Sequence, residues 1–263
     1  MGGMTVRKYG KPPLRIAVLH GGPGAPGYMA PVARELSNII GVLEPLQTRS
    51  SLDGQLEELK EQLTDHCRMP VTLIGSSWGA VLALFLAARA NEIVEKLILI
   101  GCAVFDADHS SGIEAKRLAR LSEDKRRRYQ AIMQELKRAP QDKQDLLMNE
   151  WGEILFDTDV YDPVTTDLET LGAQYELHKK VWSDFVILRD QPGYLTSLFS
   201  EINVPTTVIH GEFDPHPIEG IRPFLESCLG NVRFHILPRC GHYPWIERHA
   251  RDRFFEILKI EIK

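Results

Sequence analysis

The segment at residues 75–79, G-S-S-W-G, places a serine at the centre of a G-x-S-x-G pattern. A serine hydroxyl becomes an effective nucleophile only when a base accepts its proton and a carboxylate orients that base. The apolar run at residues 71–74 predicts a buried strand, and the run at residues 81–88 predicts a buried helix. A serine in the sharp turn between them would have a strained backbone and an accessible hydroxyl. Ser77 is therefore the predicted nucleophile, and Ser76 is the alternative within the same turn.

A carboxylate and an imidazole follow two later apolar runs. Asp214 comes soon after the run at residues 205–210, and His242 comes soon after the run at residues 232–237. Because open α/β sheets bind their ligands at the carboxyl ends of the strands, we expect both side chains to reach Ser77. An imidazole can act as the general base for a serine, while a carboxylate fixes the tautomer of that imidazole. This set predicts acyl transfer to water through a covalent acyl-enzyme.

Other residues compete for the role of the acid. Asp106 and Asp108 follow the apolar run at residues 97–100. Asp214 itself precedes Pro215, a position where aspartate often only forms a turn. We favour Asp214 because its strand directly precedes the strand before the histidine.

The run H-G-G-P-G at residues 20–24 is a glycine-rich loop at the end of another predicted strand. Its N–H groups can face the oxyanion that forms when a carbonyl is attacked. Among the remaining candidates, we interpret His20 and His210 as residues that hold loops together. We place His216 at the surface or at the rim of the site. Cys240 has no base assigned to it and is expected to be a buried structural thiol.

The elements that must position these residues alternate between strands and helices. Leucines at positions 52, 56, 59 and 63 have helical spacing with Ser51 as a candidate N-cap, and residues 246–258 predict a closing amphipathic helix. Strands that are apolar throughout and alternate with helices indicate an α/β fold, with a mostly parallel sheet covered on both faces. Apolar runs typical of strands occupy six segments, at residues 15–19, 41–46, 71–75, 95–101, 205–210 and 232–237.

The alternation stops between the strand that ends near Gly101 and the strand that starts near Pro205. Residues 105–201 lose the strand pattern and carry helical, charged segments. We interpret residues 105–201 as a helical lid over the carboxyl edge of the sheet. Residues 1–104 and 202–263 then form the α/β core domain.

The lid sequence contains two groups of residues with more than one interpretation. The basic run at residues 125–128 is best explained as a solvated helix face, because Glu123, Asp124 and Glu135 lie close to it in sequence. Ser122 is a candidate N-cap for the same helix. Five aromatic residues are expected to form mostly lid core, with one or two lining an apolar pocket: Trp151, Tyr161, Trp182, Phe185 and Tyr194.

Composition argues against several classes of function. The 263 residues are 43% hydrophobic and 25% charged with a net charge of −5, which argues against nucleic acid as the main partner. No apolar run approaches the roughly 18 residues that span a bilayer. The N-terminal region lacks the apolar segment of a secretory signal. The cysteines are widely spaced without a C-x-x-C pair, which argues against a zinc site and favours a reduced, cytoplasmic setting. We expect a small-molecule substrate, no metal or organic cofactor, no membrane partner, and a monomer or homodimer.

Together these motifs resemble the α/β-hydrolase superfamily over almost the whole chain. The H-G-G-P-G loop and the G-S-S-W-G turn are particularly similar to the proline iminopeptidase branch. The resemblance implies that Ser77 is the nucleophile, Asp214 the acid of the triad and His242 the general base. It also implies an oxyanion hole formed by the backbone N–H groups of Trp78 and Gly22.

The resemblance further bears on the sheet and on the substrate. Sheets of this superfamily usually begin with two more strands, but only fourteen residues precede Arg15, so we expect about six strands with a short addition near Val6. In proline iminopeptidases, glutamates of the lid bind the free α-amine of the substrate, and Glu150, Glu153 or Glu176 could do so here. The predicted substrate-binding residues are Trp151, Glu150, Glu153 and Trp182.

Three functions stay open at this point. The first is a serine hydrolase for the ester or amide bonds of small molecules. The second is an aminopeptidase that releases N-terminal residues, as the iminopeptidase resemblance implies. The third is a ligand-binding protein that keeps the scaffold without turnover.

Overall fold

One mostly parallel sheet organises residues 5–263, the part of the chain that the computed structural model describes. Within these residues, seven strands are arranged in the order β1-β3-β2-β4-β5-β6-β7. All neighbouring pairs are parallel except β1 and β3. The predicted α/β fold is therefore confirmed. The strands are β1 Val6–Tyr9, β2 Leu14–Leu19, β3 Gly41–Pro45, β4 Cys67–Ser76, β5 Val94–Ile100, β6 Thr206–Gly211 and β7 Val232–Leu237.

The sheet has one strand more than the six expected, because the short addition near Val6 forms β1. This strand runs antiparallel to β3, with Val6 opposite Pro45. Arg7 and Tyr9 both donate hydrogen bonds to the carboxylate of Glu44, Tyr9 at 2.7 Å. The four-residue strand carries two basic side chains and is only partly buried, which explains why its apolar pattern is weak.

Ten helices accompany the sheet within the described residues. The N-caps predicted at Ser51 and Ser122 are confirmed, since each hydroxyl accepts a hydrogen bond from the backbone N–H three residues further on. The closing helix begins at Arg251, so Ile246 and Ala250 precede it rather than lie within it. In the described part of the chain, no helix combines the length and the apolar character that crossing a bilayer requires. The helices are α1 Ala30–Leu36, α2 Leu52–His66, α3 Trp78–Arg89, α4 Ala107–Arg120, α5 Glu123–Glu135, α6 Gln141–Asp159, α7 Tyr175–Arg189, α8 Tyr194–Phe199, α9 Arg222–Cys228 and α10 Arg251–Glu261.

Apolar side chains cover both faces of the sheet. On one face α2, α3, α7, α8 and α9 pack around residues such as Phe85 and Phe185. On the other face α1 and α10 pack around residues such as Val32 and Phe254. Because both faces are covered, β6 is buried at every residue, as parallel strands usually are. The fixed carboxyl ends of these strands carry the candidate site.

The insertion between β5 and β6 consists of the five helices α4–α8. Helices α4, α5 and α6 pack on one another through a separate apolar cluster that includes Ile132. Helices α7 and α8 instead join the main core, where the rings of Phe185 and Phe199 meet Phe85 edge-on with centroids 6.5 and 5.3 Å away. The insertion thus has an outer part, α4–α6, and an inner part, α7–α8. That residues 105–201 act as a lid stays a prediction.

Candidate active site

Ser77 occupies the turn between β4 and α3, with backbone angles φ 53° and ψ −114°. A positive φ is uncommon for a residue other than glycine, and such strain costs on the order of 1–3 kcal/mol. The flanking glycines make the turn possible. A Cβ on Gly75 would lie 2.2 Å from the carbonyl oxygen of Gly79, and a Cβ on Gly79 would lie 2.3 Å from that of Leu19. The N–H of Ser77 donates to the carbonyl of Ile100 at 2.8 Å, which attaches the turn to β5.

Ser77 and His242 line the same cavity, whose volume is about 1260 Å³. The walls of this cavity come from the carboxyl edge of the sheet and from the insertion. Within residues 5–263, the side-chain hydrogen bond of His242 goes to Asp214 and not to Ser77. In enzymes, the contact between nucleophile and base often tightens only when substrate binds. The predicted nucleophile and the predicted base therefore line one cavity, without a direct hydrogen bond between them.

His242 and Asp214 form a buried pair. The Nδ1 atom of His242 lies 2.6 Å from Oδ2 of Asp214. Because a carboxylate only accepts hydrogen bonds, Nδ1 carries the proton in the neutral ring and Nε2 is left as the acceptor. Gly101 provides the space, since a Cβ there would lie 2.9 Å from Nδ1 of His242 and 3.1 Å from Oδ2 of Asp214. The pair has the tautomer that a general base needs.

The charges around this pair favour an ionised acid and a more basic imidazole. Burial alone would lower the pKa of His242, but the Asp214 carboxylate and its hydrogen bond raise that pKa above the usual 6.5. Burial alone would raise the pKa of Asp214, but the nearby His242, His216 and His210 hold it well below the usual 3.8. Asp214 therefore stays ionised at neutral pH and stabilises the imidazolium form of His242.

The other two candidates for the acid, Asp106 and Asp108, lie at the start of α4. Asp106 is the N-cap of α4, where its carboxylate accepts a hydrogen bond from the N–H of His109 at 2.8 Å. Asp108 is exposed in the first turn of the same helix. Asp214 is thus the carboxylate that meets His242.

The loop at residues 20–24 lies directly beside the Ser77 turn. A Cβ on Gly21 would lie 2.8 Å from the Cβ of Ser77. Helix α7 holds the loop from the other side, because Nδ1 of His178 donates to the carbonyl of Pro23 at 3.0 Å. Burial lowers the pKa of His178, which keeps its ring neutral near pH 7. The insertion therefore contacts the glycine-rich loop as well as lining the cavity.

Gly22 and Trp78, the two residues expected to donate their backbone N–H groups to an oxyanion, both line the cavity. Gly22 has φ 45°, a conformation that favours glycine. Trp78 is the first residue of α3, and the first N–H groups of a helix have no partner within the helix. The indole of Trp78 is engaged separately, because its N–H donates to the side chain of Gln55 at 3.0 Å.

The predicted substrate-binding residues all line the cavity. Of the five aromatic residues considered in the insertion, Trp151 and Trp182 contribute to its walls, as expected for one or two of them. Glu150 and Glu153 also contribute, but Glu150 accepts two hydrogen bonds from Arg128, both at 2.5 Å. The charge of Glu150 is thus already compensated. Glu176, the third candidate for binding an amine, lies outside the cavity walls and pairs with Lys179.

Of the two positions expected for His216, the surface is wrong because the residue is buried, whereas it does line the cavity together with Ser77 and His242. The residue is 9% exposed, and its ring centroid is 4.7 Å from that of His242. Its Nδ1 and its backbone N–H lie 2.7 and 2.9 Å from Oδ1 of Asp214. The carboxylate of Asp214 therefore forms a local turn with the residue two positions on, a known habit of aspartate. The sequence Asp214-Pro215-His216 predicts such a turn, but the turn alone does not show that the side chain of His216 points into the protein.

The predictions for His20, His210 and Cys240 agree with their surroundings. One ring nitrogen of His20 lies 2.9 Å from the carbonyl oxygen of Gly21, and one of His210 lies 2.9 Å from that of His216. Burial lowers the pKa of His20 to about 4 and also lowers that of His210. Burial raises the pKa of the Cys240 thiol, which does not suit a nucleophile.

An ion pair between a half-buried arginine and a buried aspartate beside the site was not predicted from the sequence. Arg117 of α4 donates to both carboxylate oxygens of Asp159, with Nε at 2.8 Å. Asp159 is the last residue of α6, is 2% exposed, and accepts the backbone N–H of His242 on its carbonyl oxygen at 2.6 Å. Arg117 and Asp159 meet when α4 packs on α6, and His242 joins them only when the insertion packs on the core.

The carboxylate of Glu247 makes a second connection between the insertion and the His242 loop. It is fully buried and accepts backbone N–H groups from Tyr161 and Asp162, at 2.7 and 2.8 Å. It also accepts the N–H of Gly241, next to His242, at 2.8 Å. The end of α6 and the His242 loop are therefore held by the same side chain.

Asp214, His216 and His242 are the one group in the described part of the chain whose atoms could approach a metal ion together, all within 4.8 Å of one another. Hydrogen bonds of 2.6 and 2.7 Å account for these short distances. Around zinc, bond lengths of about 2.0–2.1 Å separate tetrahedral ligand atoms by about 3.3 Å. The group is better explained as a hydrogen-bonded cluster than as a metal centre.

The sheet and the Ser77 turn define a class of protein. Residues 51–248 match the family profile described as alpha/beta hydrolase fold, and the chain belongs to this family. The chain is 24% identical to the pimeloyl-(acyl-carrier protein) methyl ester esterase of Nitrosomonas europaea over 209 residues, which is 73% of this chain and 71% of that protein. Its counterpart from Nitrosospira multiformis is 25% identical over 204 residues, which is 75% of this chain and 71% of that protein.

A solved structure shows the same architecture. The crystal structure of VinJ superposes with a TM-score of 0.69 at 18% identity, over 97% of this chain and 93% of that one. At this identity the likeness concerns the fold alone. The superfamily prediction is confirmed, whereas the two curated relatives give no support to the proline iminopeptidase branch, since both are named esterases.

Proposed function

We propose that the protein is a serine hydrolase that cleaves carboxylic esters of small molecules through an acyl-enzyme. The observation that supports this most directly is that the strained Ser77 lines one cavity with His242, whose imidazole is hydrogen-bonded to the buried Asp214. Both relatives are named methyl ester esterases, which favours an ester over an amide.

In this mechanism Ser77 attacks the ester carbonyl while Nε2 of His242 accepts the hydroxyl proton. Asp214 keeps Nδ1 of His242 protonated and stabilises the resulting imidazolium. The imidazolium then donates its proton to the leaving alcohol, and the acyl group stays bonded to Ser77. Water attacks the acyl-enzyme with His242 again as base, which releases the carboxylic acid and restores the serine.

The negative charge that forms on the carbonyl oxygen would be held by the backbone N–H groups of Trp78 and Gly22. Loss of one such donor typically slows turnover by about 10²–10³. Trp78 gains further strength as a donor because it begins α3, where the helix dipole favours negative charge.

The cavity accommodates a sizeable acyl group. At about 1260 Å³ it exceeds the range of about 300–1,000 Å³ that is common for small-molecule pockets. Apolar walls from Ile113, Met148 and Trp182 lie alongside charged groups that are already paired, such as Arg117 and Glu150. An ester with an apolar acyl part fits these walls best.

The two other functions have weaker support. An aminopeptidase would need carboxylates of the insertion to bind the α-amine, but of the three candidates Glu150 is already engaged by Arg128 and Glu176 lies outside the cavity walls, which leaves Glu153. A protein that only bound ligand would gain nothing from the strained backbone of Ser77. Ester hydrolysis is therefore the function to test first.

The test compares Ser77→Ala with Ser111→Ala, an exposed serine of α4 that does not line the cavity. We expect Ser77→Ala to lose turnover of p-nitrophenyl esters on the order of 10⁶-fold, together with labelling by a fluorophosphonate probe. Ser111→Ala should retain both. A Ser77→Ala protein that keeps most of its activity overturns the proposal, and faster cleavage of proline p-nitroanilide than of esters would favour the aminopeptidase.

A further inference from the structure

We propose that His216 is a positioning residue, whose imidazole N–H holds the Asp214 carboxylate in the orientation that meets His242. The inference rests on the proposed function and adds a fourth side chain to the three that act there. His216 itself is not required to touch the reacting atoms.

Each oxygen of the Asp214 carboxylate has its own partner. Oδ2 accepts from Nδ1 of His242 at 2.6 Å, and Oδ1 accepts from Nδ1 of His216 at 2.7 Å. The terminal torsion of an aspartate is otherwise broad, because it joins sp³ and sp² carbons. A carboxylate that is bonded at both oxygens cannot rotate without losing one of these contacts. His216 therefore restricts the torsion that sets the direction of Oδ2.

The protonation of His216 follows from the same contact. Since a carboxylate only accepts, Nδ1 of His216 must carry a proton. Burial lowers the pKa of His216, although Asp214 acts in the opposite direction. The ring is thus a neutral donor that orients the carboxylate without adding a positive charge next to His242.

The ring of His216 is itself held in place. It stacks on His242 with centroids 4.7 Å apart and planes 29° apart. Its backbone carbonyl oxygen lies 2.9 Å from Nε2 of His210, and the residue is 9% exposed. A side chain fixed in this way can restrict its partner, whereas a mobile surface histidine could not.

The local turn does not require this side chain. The backbone N–H of His216 already bonds to Oδ1 of Asp214 at 2.9 Å, and every residue except proline would supply that N–H. The imidazole N–H is an additional donor to the same oxygen. A substitution that removes the imidazole but keeps the backbone therefore separates the contribution of the imidazole N–H from that of the backbone N–H.

The test uses two substitutions at one position. His216→Asn keeps an N–H donor at the place of Nδ1, whereas His216→Leu removes the donor and keeps a side chain of moderate volume. For a p-nitrophenyl ester, we expect His216→Leu to lower kcat by about 10–100-fold, the range expected for a hydrogen bond to a charged group. KM should change little, and His216→Asn should recover most of the lost kcat.

A double-mutant cycle adds a measurement whose result would not change if His216 had only a structural role. In an Asp214→Asn background, His216→Leu should cause little further loss, because the carboxylate that it orients is gone. Additive losses would overturn the proposal, as would an unchanged kcat in His216→Leu or equal losses in the leucine and asparagine variants. If His216→Leu does not fold, as judged by thermal unfolding, His216→Phe takes its place in the cycle. The Ser77→Ala test decides the proposed function separately.

Discussion

The backbone N–H of His242 donates a hydrogen bond of 2.6 Å to the carbonyl oxygen of Asp159, the last residue of α6. The carboxylate of Asp159 is in turn held by Arg117 of α4. Two helices of the insertion are thus connected to the loop that supplies the proposed base. Changes in the insertion should affect both the stability of the protein and the position of His242.

Replacing Arg117 by methionine would leave the carboxylate of Asp159 buried without its counter-charge. Breaking a buried pair in this way typically costs about 3–5 kcal/mol, and we expect a loss near the lower end in the free energy of unfolding measured with urea. Arg127→Met is the matched control, because Arg127 pairs with Glu123 and Asp124 on an exposed face. Surface pairs contribute about 0–1 kcal/mol. Equal losses of unfolding free energy in the two variants would show that the pair of Arg117 and Asp159 stabilises the protein no more than an exposed pair does.

Gly101→Ala tests the space beside the proposed triad. The added Cβ would lie 2.9 Å from Nδ1 of His242, and the φ of 51° is unfavourable for alanine. Gly193→Ala is the control, because its φ is 76° but nothing lies within 4 Å of its Cβ position. Both variants should lose about 1–2 kcal/mol of stability from the backbone. Only Gly101→Ala should lower kcat, by at least about tenfold for a displaced base, and an active Gly101→Ala enzyme would contradict the assigned geometry.

The rate should depend on pH through His242. Its pKa is raised above 6.5 because the Asp214 carboxylate outweighs the effect of burial. Below that pKa the ring is protonated and cannot accept the proton of Ser77, so kcat/KM should fall with decreasing pH through a midpoint above 6.5.

The substitution Asp214→Asn supplies the control for this pH profile. It removes the charge that raises the pKa of His242 and leaves the effect of burial, so the residual activity should have a lower midpoint. Arg117 and Asp159 keep their own ion pair in this variant, whereas His216 also loses the carboxylate to which it donates. A wild-type midpoint at or below 6.5 would be evidence against His242 as the base.

Trp151 should influence which acyl groups are accepted. Its side chain lines the cavity and meets His178 edge-on at 5.7 Å. Trp151→Ala enlarges the apolar space, so kcat/KM for an octanoate ester relative to a butyrate ester should rise by about tenfold. Leu146→Ala, on the same helix but with Leu146 69% exposed, should leave the ratio unchanged. An unchanged ratio in Trp151→Ala would place the acyl group elsewhere in the cavity.

The main elements of the fold and the three proposed catalytic residues could be predicted because their signals are local. Ser77 stands in a strand-to-helix turn that requires glycines at fixed positions, and both flanking elements have unmistakable apolar patterns. Asp214 and His242 each follow a buried strand, and parallel strands bring their carboxyl ends to one edge. These inferences needed only the neighbours of each residue in the sequence.

The remaining features depend on contacts between distant parts of the chain. The sequence predicts a short addition near Val6, but the pairing of β1 with β3 and the bonds from its side chains to Glu44 join residues that are distant in the chain. His216 lies in an ordinary turn, and its side chain points into the protein because it packs against His242. Arg117 and Asp159 meet only after α4 and α6 have folded together, so their spacing in the sequence does not predict that they form a pair.

Glu247 limits how the molecule can open. Its carboxylate bonds to the chain just after α6 and to Gly241 at the same time. An outward movement of the carboxyl-terminal end of α6 would either break these bonds or move the loop of His242 with it. We therefore expect a substrate to enter and leave while that end of α6 stays in place, so that the proposed base keeps its position.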